Sequence, residues 1–254
     1  MISCFTWFGY ELPVKERIRL IKHAGFDGVM LWWSEEYENY EYRKAPQMAR
    51  DAGLFVENIH TSFGSINDLW LDNLDGDTLT EFFLQIADDC FDHEIPAMVM
   101  HLSRHSPPPV SEAGLKRIMK ITERAERHGV NVAFENLRDN KYIEAVLTRI
   151  NSPHAGFCYD SGHHNCTAPN EDLLQRYGAR LLALHLHDND GTGDQHRLPF
   201  DGTIDWPATM KLIKQSGYTG AVALESENFG YKDMQPEDFL RLAYERAKRL
   251  ENML

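Results

Sequence analysis

Eight short runs of apolar residues, rich in β-branched and aromatic side chains, recur along the chain and predict eight β-strands. They lie at 2–8, 27–33, 54–61, 97–103, 130–136, 155–160, 181–188 and 220–226. Between them, apolar residues recur at helical spacing, as in 13–24, 111–128 and 236–250. Because strand and helix alternate throughout, the pattern predicts an α/β fold, a single (β/α)8 TIM barrel over residues 1–254.

An open, doubly wound sheet is the alternative that the same alternation allows. That fold usually carries a glycine-rich phosphate turn after an early strand, and this chain has neither GxGxxG nor GxxxxGK. No linker or low-complexity segment interrupts the pattern. We therefore favour the closed barrel and expect one domain.

Polar side chains lie where the predicted strands end, which is where a β/α barrel carries its active site. Side chains alternate between the two faces of a strand. In the fifth to eighth strands one face leads through mainly small residues to a polar side chain, and bulky apolar residues occupy the other. The side chains that this alternation directs into one volume are Glu135, Asp160, His185 and Glu225.

Three carboxylates and an imidazole in one place repel each other and lose hydration unless a cation joins them. The same strand faces hold no Lys or Arg. The set therefore predicts a divalent metal site, and Mn2+, Mg2+, Co2+ and Zn2+ all suit oxygen and imidazole ligands. The alternative is that each is a rim residue with its own hydrogen-bond partner.

Composition narrows the function mainly by exclusion. The 254 residues are 43% hydrophobic with a formal net charge of −13, and no run of Lys or Arg offers a surface for a phosphate backbone. We expect no nucleic-acid partner, and no membrane contact because no segment approaches the ~18 apolar residues of a span. Four cysteines without a CxxC pair and no recognisable signal peptide predict a cytoplasmic protein with reduced thiols.

Five motifs near the strand ends are more specific. They are "FEN" (134–136), "YDSGH" (159–163), "LHLHDN" (184–189), "GDQHRLPFDGTIDW" (193–206) and "ALE" (223–225). In these motifs the chain resembles the xylose isomerase-like TIM-barrel superfamily, which contains sugar phosphate isomerases and epimerases together with metal-dependent apurinic endonucleases. The resemblance implies that Glu135, Asp160, His185 and Glu225, the side chains that strand alternation directs into one volume, bind one divalent ion. Mn2+ is the favoured ion.

The endonuclease branch of the superfamily binds further metals. The positions that match its additional ligands are His60, His101, His163, Asp194 and His196. They permit a multinuclear site, whereas in a mononuclear isomerase they would contact substrate hydroxyls or phosphate, as would Arg197. His187 has the parity of His185 but stands two residues beyond it, so we expect it at the rim or against the substrate.

The isomerase branch implies the chemistry we favour. It predicts a divalent-metal-dependent isomerase or epimerase that acts on a sugar, a sugar phosphate or an inosose. The expected partner of the protein is therefore a small-molecule carbohydrate substrate. In that chemistry a proton leaves the carbon next to a carbonyl and a metal-stabilised enediolate forms, with Glu135 and Glu225 as the flanking acid and base. Trp7 and Trp32 are expected to wall the pocket.

Two other activities stay open. One is a metal-dependent dehydratase or lyase of the same fold, and the other is a zinc-dependent apurinic endonuclease-like hydrolase, which the acidic composition and short loops disfavour. The ketohexose epimerases of the superfamily carry a glutamate and an arginine where this chain has Lys141 and Gly191, so ketohexose 3-epimerisation is not supported. The aromatic residues near 32–42 are assigned either to a homo-oligomer contact or to the pocket wall.

Overall fold

The computed structural model describes residues 1–34 and 42–254, and eight parallel strands form its centre. The strands are β1 (Ile2–Phe5), β2 (Gly28–Trp33), β3 (Phe55–Thr61), β4 (Ala97–Met100), β5 (Asn131–Glu135), β6 (Ala155–Asp160), β7 (Leu181–His185) and β8 (Val222–Leu224). Their spatial order is β7-β6-β5-β4-β3-β2-β1-β8. A bridge from Leu186 to Leu224 joins the two edges, so the predicted (β/α)8 barrel is confirmed.

Helices follow the strands and cover the outside of the barrel. Within the described ranges they are α1 (Val14–Ala24), α2 (Ala45–Asp51), α3 (Leu74–Asp92), α4 (Glu112–Arg127), α5 (Lys141–Arg149), α6 (Ser161–Thr167), α7 (Leu173–Tyr177), α8 (Trp206–Gln215) and α9 (Pro236–Glu251). In α4 the apolar positions Ile118, Ile121 and Ala125 are buried, as the helical spacing predicts. At the end of α1, Gly25 adopts φ +108° and its N–H donates to the Lys22 carbonyl, a conformation that favours glycine.

The inside of the barrel follows the predicted alternation. Small residues from adjacent strands pack there, while Phe134, Phe157 and Leu184 on the opposite faces join the outer core under the helices. The interior cluster consists of Val99, Ala133, Cys158 and Ala183. Because these side chains are short, the polar residues at the strand ends can converge above them.

The hydrogen-bonded strands are shorter than the apolar runs that predicted them. β4 ends at Met100 and β7 at His185, yet Leu102 and Leu186 beyond them are fully buried. The hydrophobic pattern of a sequence indicates which residues are buried. Here the buried residues continue into the loops, beyond the last residues that are hydrogen-bonded in the sheet.

Part of the aromatic segment near 32–42 lies outside the described residues, namely 35–41. Of the described part, Trp33 is buried, packs against Tyr42 and donates from its indole to Asp89 at 3.4 Å. Trp32 faces the pocket described below. No helix in residues 1–34 or 42–254 combines the length and the apolar character that a membrane crossing needs.

The loop after β7 is organised by the buried carboxylate of Asp188. It accepts hydrogen bonds from the Trp206 indole at 2.8 Å, the Phe200 amide at 3.0 Å and the Asn189 amide at 2.9 Å. Any Cβ at position 202 would lie 2.2 Å from an Asp188 oxygen, so only glycine allows this approach. One side chain thereby holds the loop that returns over the barrel mouth.

Replacing Asp188 with Ala is therefore expected to lower the free energy of unfolding by about 3 kcal/mol, since several buried donors lose a charged acceptor. Urea denaturation of the two proteins measures the change. Asp190→Ala in the same loop is the matched control, because that carboxylate is exposed, and it should lower the free energy of unfolding far less. Equal losses in the two variants would contradict the role of Asp188.

Candidate metal centre

A pocket of about 530 Å³ opens at the C-terminal ends of the barrel strands. Aromatic and titratable side chains pack against each other in it, as Phe63 does on His101 at a centroid distance of 4.3 Å. Its lining consists of Phe5, Trp7, Trp32, His60, Phe63, His101, Glu135, His163, Asp194, His196, Glu225 and Glu227. Both predicted wall residues, Trp7 and Trp32, are among them.

Glu135 contacts four imidazoles. Its Oε1 lies 3.0 Å from Nδ1 of His163 and 3.3 Å from Nε2 of His101. Its Oε2 lies 3.1 Å from Nδ1 of His185 and 3.4 Å from Nε2 of His60. Four histidines, from β3, β7, the position after β4 and the first turn of α6, thus meet on one carboxylate that is 1% exposed.

Two further carboxylates complete this arrangement. Oε2 of Glu225, from the end of β8, lies 3.0 Å from the same Nδ1 of His185 that contacts Glu135. Asp160 ends β6 and caps α6 by accepting from the His163 amide at 2.6 Å. Its backbone is held by Asn136, whose side chain donates to the Asp160 carbonyl and accepts from its amide, both at 2.8 Å.

His187 occupies a different place from the rim position that the sequence suggested. It is 0% exposed, its Nε2 lies 3.0 Å from Asp160, and its ring stacks on His196 at a centroid distance of 4.0 Å. The expectation of a rim position is wrong because the loop that Asp188 organises returns over the end of β7 and covers the ring.

Asp194 and His196 reach the pocket from that same loop. Oδ2 of Asp194 lies 3.1 Å from Nε2 of His163 and 3.3 Å from Nε2 of His196. Nδ1 of His196 donates to the Glu225 carbonyl at 2.8 Å, and this contact ties the loop to β8. The loop thereby adds one carboxylate and one imidazole to those that the strands supply.

Burial and ion pairing oppose each other throughout this cluster. Burial raises the pKa of Glu135, but His101 and His185 outweigh it and hold that pKa well below its usual range. Burial likewise opposes ionisation of Glu225, yet His185 lowers its pKa to about 2. Burial lowers the pKa of His196, and Asp194 reverses this and raises it to about 10. The carboxylates are thus ionised and need positive charge, which protons or a metal ion can provide.

The nitrogen and oxygen atoms of this cluster are better placed to bind a divalent ion than to hydrogen-bond with one another. Within the described ranges, several buried atoms have no hydrogen bond of ordinary geometry despite their close contacts. These atoms are Oε2 of Glu135, Nε2 of His101, both ring nitrogens of His185 and Nδ1 of His187. Several trios also bring one ligand atom each within 4.8 Å of one another, such as His60, His101 and Glu135. Imidazole and carboxylate donors of this kind suit Mn2+ or Zn2+.

The structure brings together nearly all of the residues predicted from the sequence. Asp160 and His185 are outside the pocket lining but contact its members His163 and Glu135 at 3.5 and 3.1 Å. Arg197 is the exception, because its guanidinium pairs with Asp190 at 2.8 Å and lies over the Phe229 ring. Glu227, which accepts from the Trp7 indole at 3.1 Å, was missed. Its parity with Glu225 was a usable signal, but the predicted strand ended one residue before it.

Proteins of similar sequence are known from several bacteria. An uncharacterized protein of Sinorhizobium fredii is 37% identical over 115 residues, which are 45% of this chain and 37% of that protein. An inosose isomerase of Bacillus velezensis is 23% identical over 150 residues, 54% of each chain. The segments that match this chain make up 37%, 64% and 54% of the first three curated relatives, so this chain spans less than two thirds of the length of each.

Solved structures resemble the whole fold. The IOLI protein with a bound zinc atom superposes with a TM-score of 0.80 at 15% identity and covers 98% of both chains. A D-allulose 3-epimerase from Methylomonas sp. in complex with D-allulose has a TM-score of 0.78 at 16% identity, over 98% of this chain and 96% of that one. The sequence model described as xylose isomerase-like TIM barrel matches residues 18–250, and the chain belongs to that family.

Proposed function

We propose that this protein is a divalent-metal-dependent isomerase or epimerase of a sugar, a sugar phosphate or an inosose. One observation carries the proposal. Glu135 and Glu225, from β5 and β8, contact the same Nδ1 of His185 at 3.1 and 3.0 Å at the base of a pocket walled by aromatic rings. Two carboxylates beside one substrate-sized cavity are what proton removal and return require. The inosose isomerases among the relatives support the same chemistry.

The metal ligands are proposed from the same contacts. Glu135, Asp160 and Glu225 would hold the ion through oxygen. Two imidazoles compete for the remaining position: His185, which contacts Glu135 and Glu225, and His187, which contacts Asp160. When bound, the ion supplies a Lewis acid that polarises a substrate carbonyl.

The remaining histidines have two possible uses, which differ in the number of ions. His60, His101, His163 and His196, with Asp194, would bind further ions in a multinuclear site. With one ion they would bind substrate oxygens instead, and a protonated His163 or the N–H of a neutral His101, whose pKa burial lowers, would donate to the oxygen that gains negative charge. Counting the bound ions separates these uses.

The chain's own groups perform the proton transfer. One of Glu135 and Glu225 accepts the proton from the carbon next to the carbonyl. The other first takes up a proton from solvent and returns it to the opposite face for epimerisation or to the neighbouring carbon for isomerisation, while the first releases its proton to solvent to complete the cycle. Trp7, Trp32 and Phe63 would exclude water and pack on the apolar face of the sugar.

The test is a screen of ketoses, inososes and their phosphates in D2O with Mn2+-loaded protein, followed by NMR. We expect deuterium at the carbon next to the carbonyl together with an isomeric product. Loss of water from a substrate would instead assign a dehydratase, and nicking of abasic duplex DNA by the Zn2+-loaded protein would assign a hydrolase. Absence of exchange with every compound by metal-loaded protein would overturn the proposal.

A further inference from the structure

A second pocket of about 530 Å³ adjoins the first. The two share Phe63, His101, His163 and Asp194, so a ligand that occupies the metal pocket can extend into it. Its outer wall is built by the loops that follow β4, β5 and β7.

The outer wall is basic, in a chain whose formal net charge is −13. It contains Arg104, His105 and Arg138. In residues 1–34 and 42–254, neither guanidinium has a carboxylate partner; Arg104 donates to the Gly64 carbonyl at 3.1 Å and Arg138 to the His105 ring at 2.8 Å. Most of their hydrogen-bonding capacity is therefore available to a ligand.

The carboxylates that line this pocket are already neutralised. Asp139 pairs with Lys141 at 2.6 Å, and Asp194 lies between His163 and His196 at 3.1 and 3.3 Å. The field that a ligand meets is thus set by the unpaired guanidinium groups. Such a field attracts a negative group.

The basic wall is held in place before any ligand binds. The Asn67 side chain accepts from the Arg104 amide at 2.9 Å and donates to the His105 carbonyl at 3.2 Å. Since arginine only donates, Nδ1 of His105 accepts from Arg138, and Nε2 of the neutral ring carries the hydrogen. Hydroxyl groups complete the lining: Ser103, Ser106, Thr167 and Thr192.

We propose that this second pocket binds an anionic group, a phosphate or a carboxylate, at the far end of the sugar whose carbonyl lies in the metal pocket. The identity of the ligand as a substrate rests on the proposed function, whereas the anion preference rests on the second pocket alone. Two arginines with fork geometry match the oxygens of such a group, and the Ser103 and Ser106 hydroxyls of the same lining can add hydrogen bonds. A neutral ketose would leave both guanidinium groups without an anionic partner.

Calorimetric binding of three polyols to Mn2+-loaded protein tests the proposal: ribitol, ribitol 5-phosphate and ribonate. None of them has a ketone, so binding is measured whether or not the protein isomerises sugars. We expect the phosphate, the carboxylate or both to bind at least tenfold more tightly than ribitol, because each charged hydrogen bond is worth about tenfold or more. The anion that binds more tightly shows whether the second pocket prefers a phosphate or a carboxylate.

Substitutions locate the preference. Arg104→Gln combined with Arg138→Gln should reduce it at least tenfold while leaving ribitol affinity unchanged, and both side chains are exposed, so folding is expected to be retained. Arg127→Gln removes the same type of charge from an exposed position on α4 and should preserve the preference. Equal affinity for all three polyols, or a preference that survives in the double variant, would overturn the proposal. Failure of the deuterium-exchange screen would leave this result standing and would reject only the sugar isomerase.

Discussion

Replacing Glu225 with Gln lowers the rate of solvent-deuterium exchange into the substrate by about 10²–10⁴-fold, the usual contribution of a general acid or base. Glu225 is 5% exposed; burial opposes its ionisation, but His185 keeps its pKa at about 2. It is therefore ionised at neutral pH and able to accept a proton. Glutamine preserves the shape and removes this capacity. NMR of a ketose or inosose substrate in D2O measures the rate.

The control for Glu225 is Glu57→Gln, which replaces another carboxyl group on the barrel strands, one whose pKa burial raises to about 7. Glu57 lies near the opposite end of the strands, where it contacts Ser3 and Tyr218. We expect this variant to keep the exchange rate within about threefold, since Glu57 does not line the pocket and general acid–base catalysis requires a group within hydrogen-bond reach of the proton. Metal content is measured in both variants, so loss of the ion is distinguished from loss of the base. Exchange at the native rate in metal-loaded Glu225→Gln would remove Glu225 from the acid–base role.

Removing divalent ions with a chelator is expected to reduce exchange by about 10³-fold or more, because a Lewis acid contributes several kcal/mol at a carbonyl. Added Mn2+, Co2+ or Zn2+ should restore it. The same ions should raise the melting temperature, because only the folded chain brings Glu135, Asp160 and Glu225 together. Full activity in protein shown by elemental analysis to be free of metal would contradict metal dependence.

Elemental analysis of the native protein and of two variants then gives the number of metal ions per chain and identifies the imidazole ligand. One ion per chain would support a mononuclear site and exclude a multinuclear one. His185→Gln and His187→Gln decide the imidazole ligand, since the variant that loses the ion identifies it. His164→Gln is the matched control, because that ring is held by Tyr159 and the Glu171 carbonyl, each at 2.8 Å, and lies outside the pocket lining.

Much of the centre was predictable because a barrel is a periodic structure. Alternation along β5 to β8 separates inward from outward side chains, and parallel strands end at the same rim. Glu135, Asp160 and Glu225 could therefore be assigned to one volume without any knowledge of distances. The structure brings them together around the imidazoles of His163, His185 and His187.

Periodicity gives no information about the loops. Arg197 stands beside His196 in sequence, yet its guanidinium is bound by Asp190, seven residues earlier. His187 was expected at the rim and is covered instead, since Asp188 folds the next loop back over it. Such contacts depend on side chains from distant segments, and a local pattern contains no record of them.

The sequence by itself determined the barrel, the inward faces of its strands and the carboxylates at their ends, because each follows from burial with a fixed period. Only the tertiary structure decided which histidines contact which carboxylate, and that Arg104 and Arg138 line a pocket next to the metal centre. These two arginines stand 34 residues apart on loops without periodic pattern. Their proximity arises because β4 and β5 are neighbours in the sheet, which places the loops that follow them side by side.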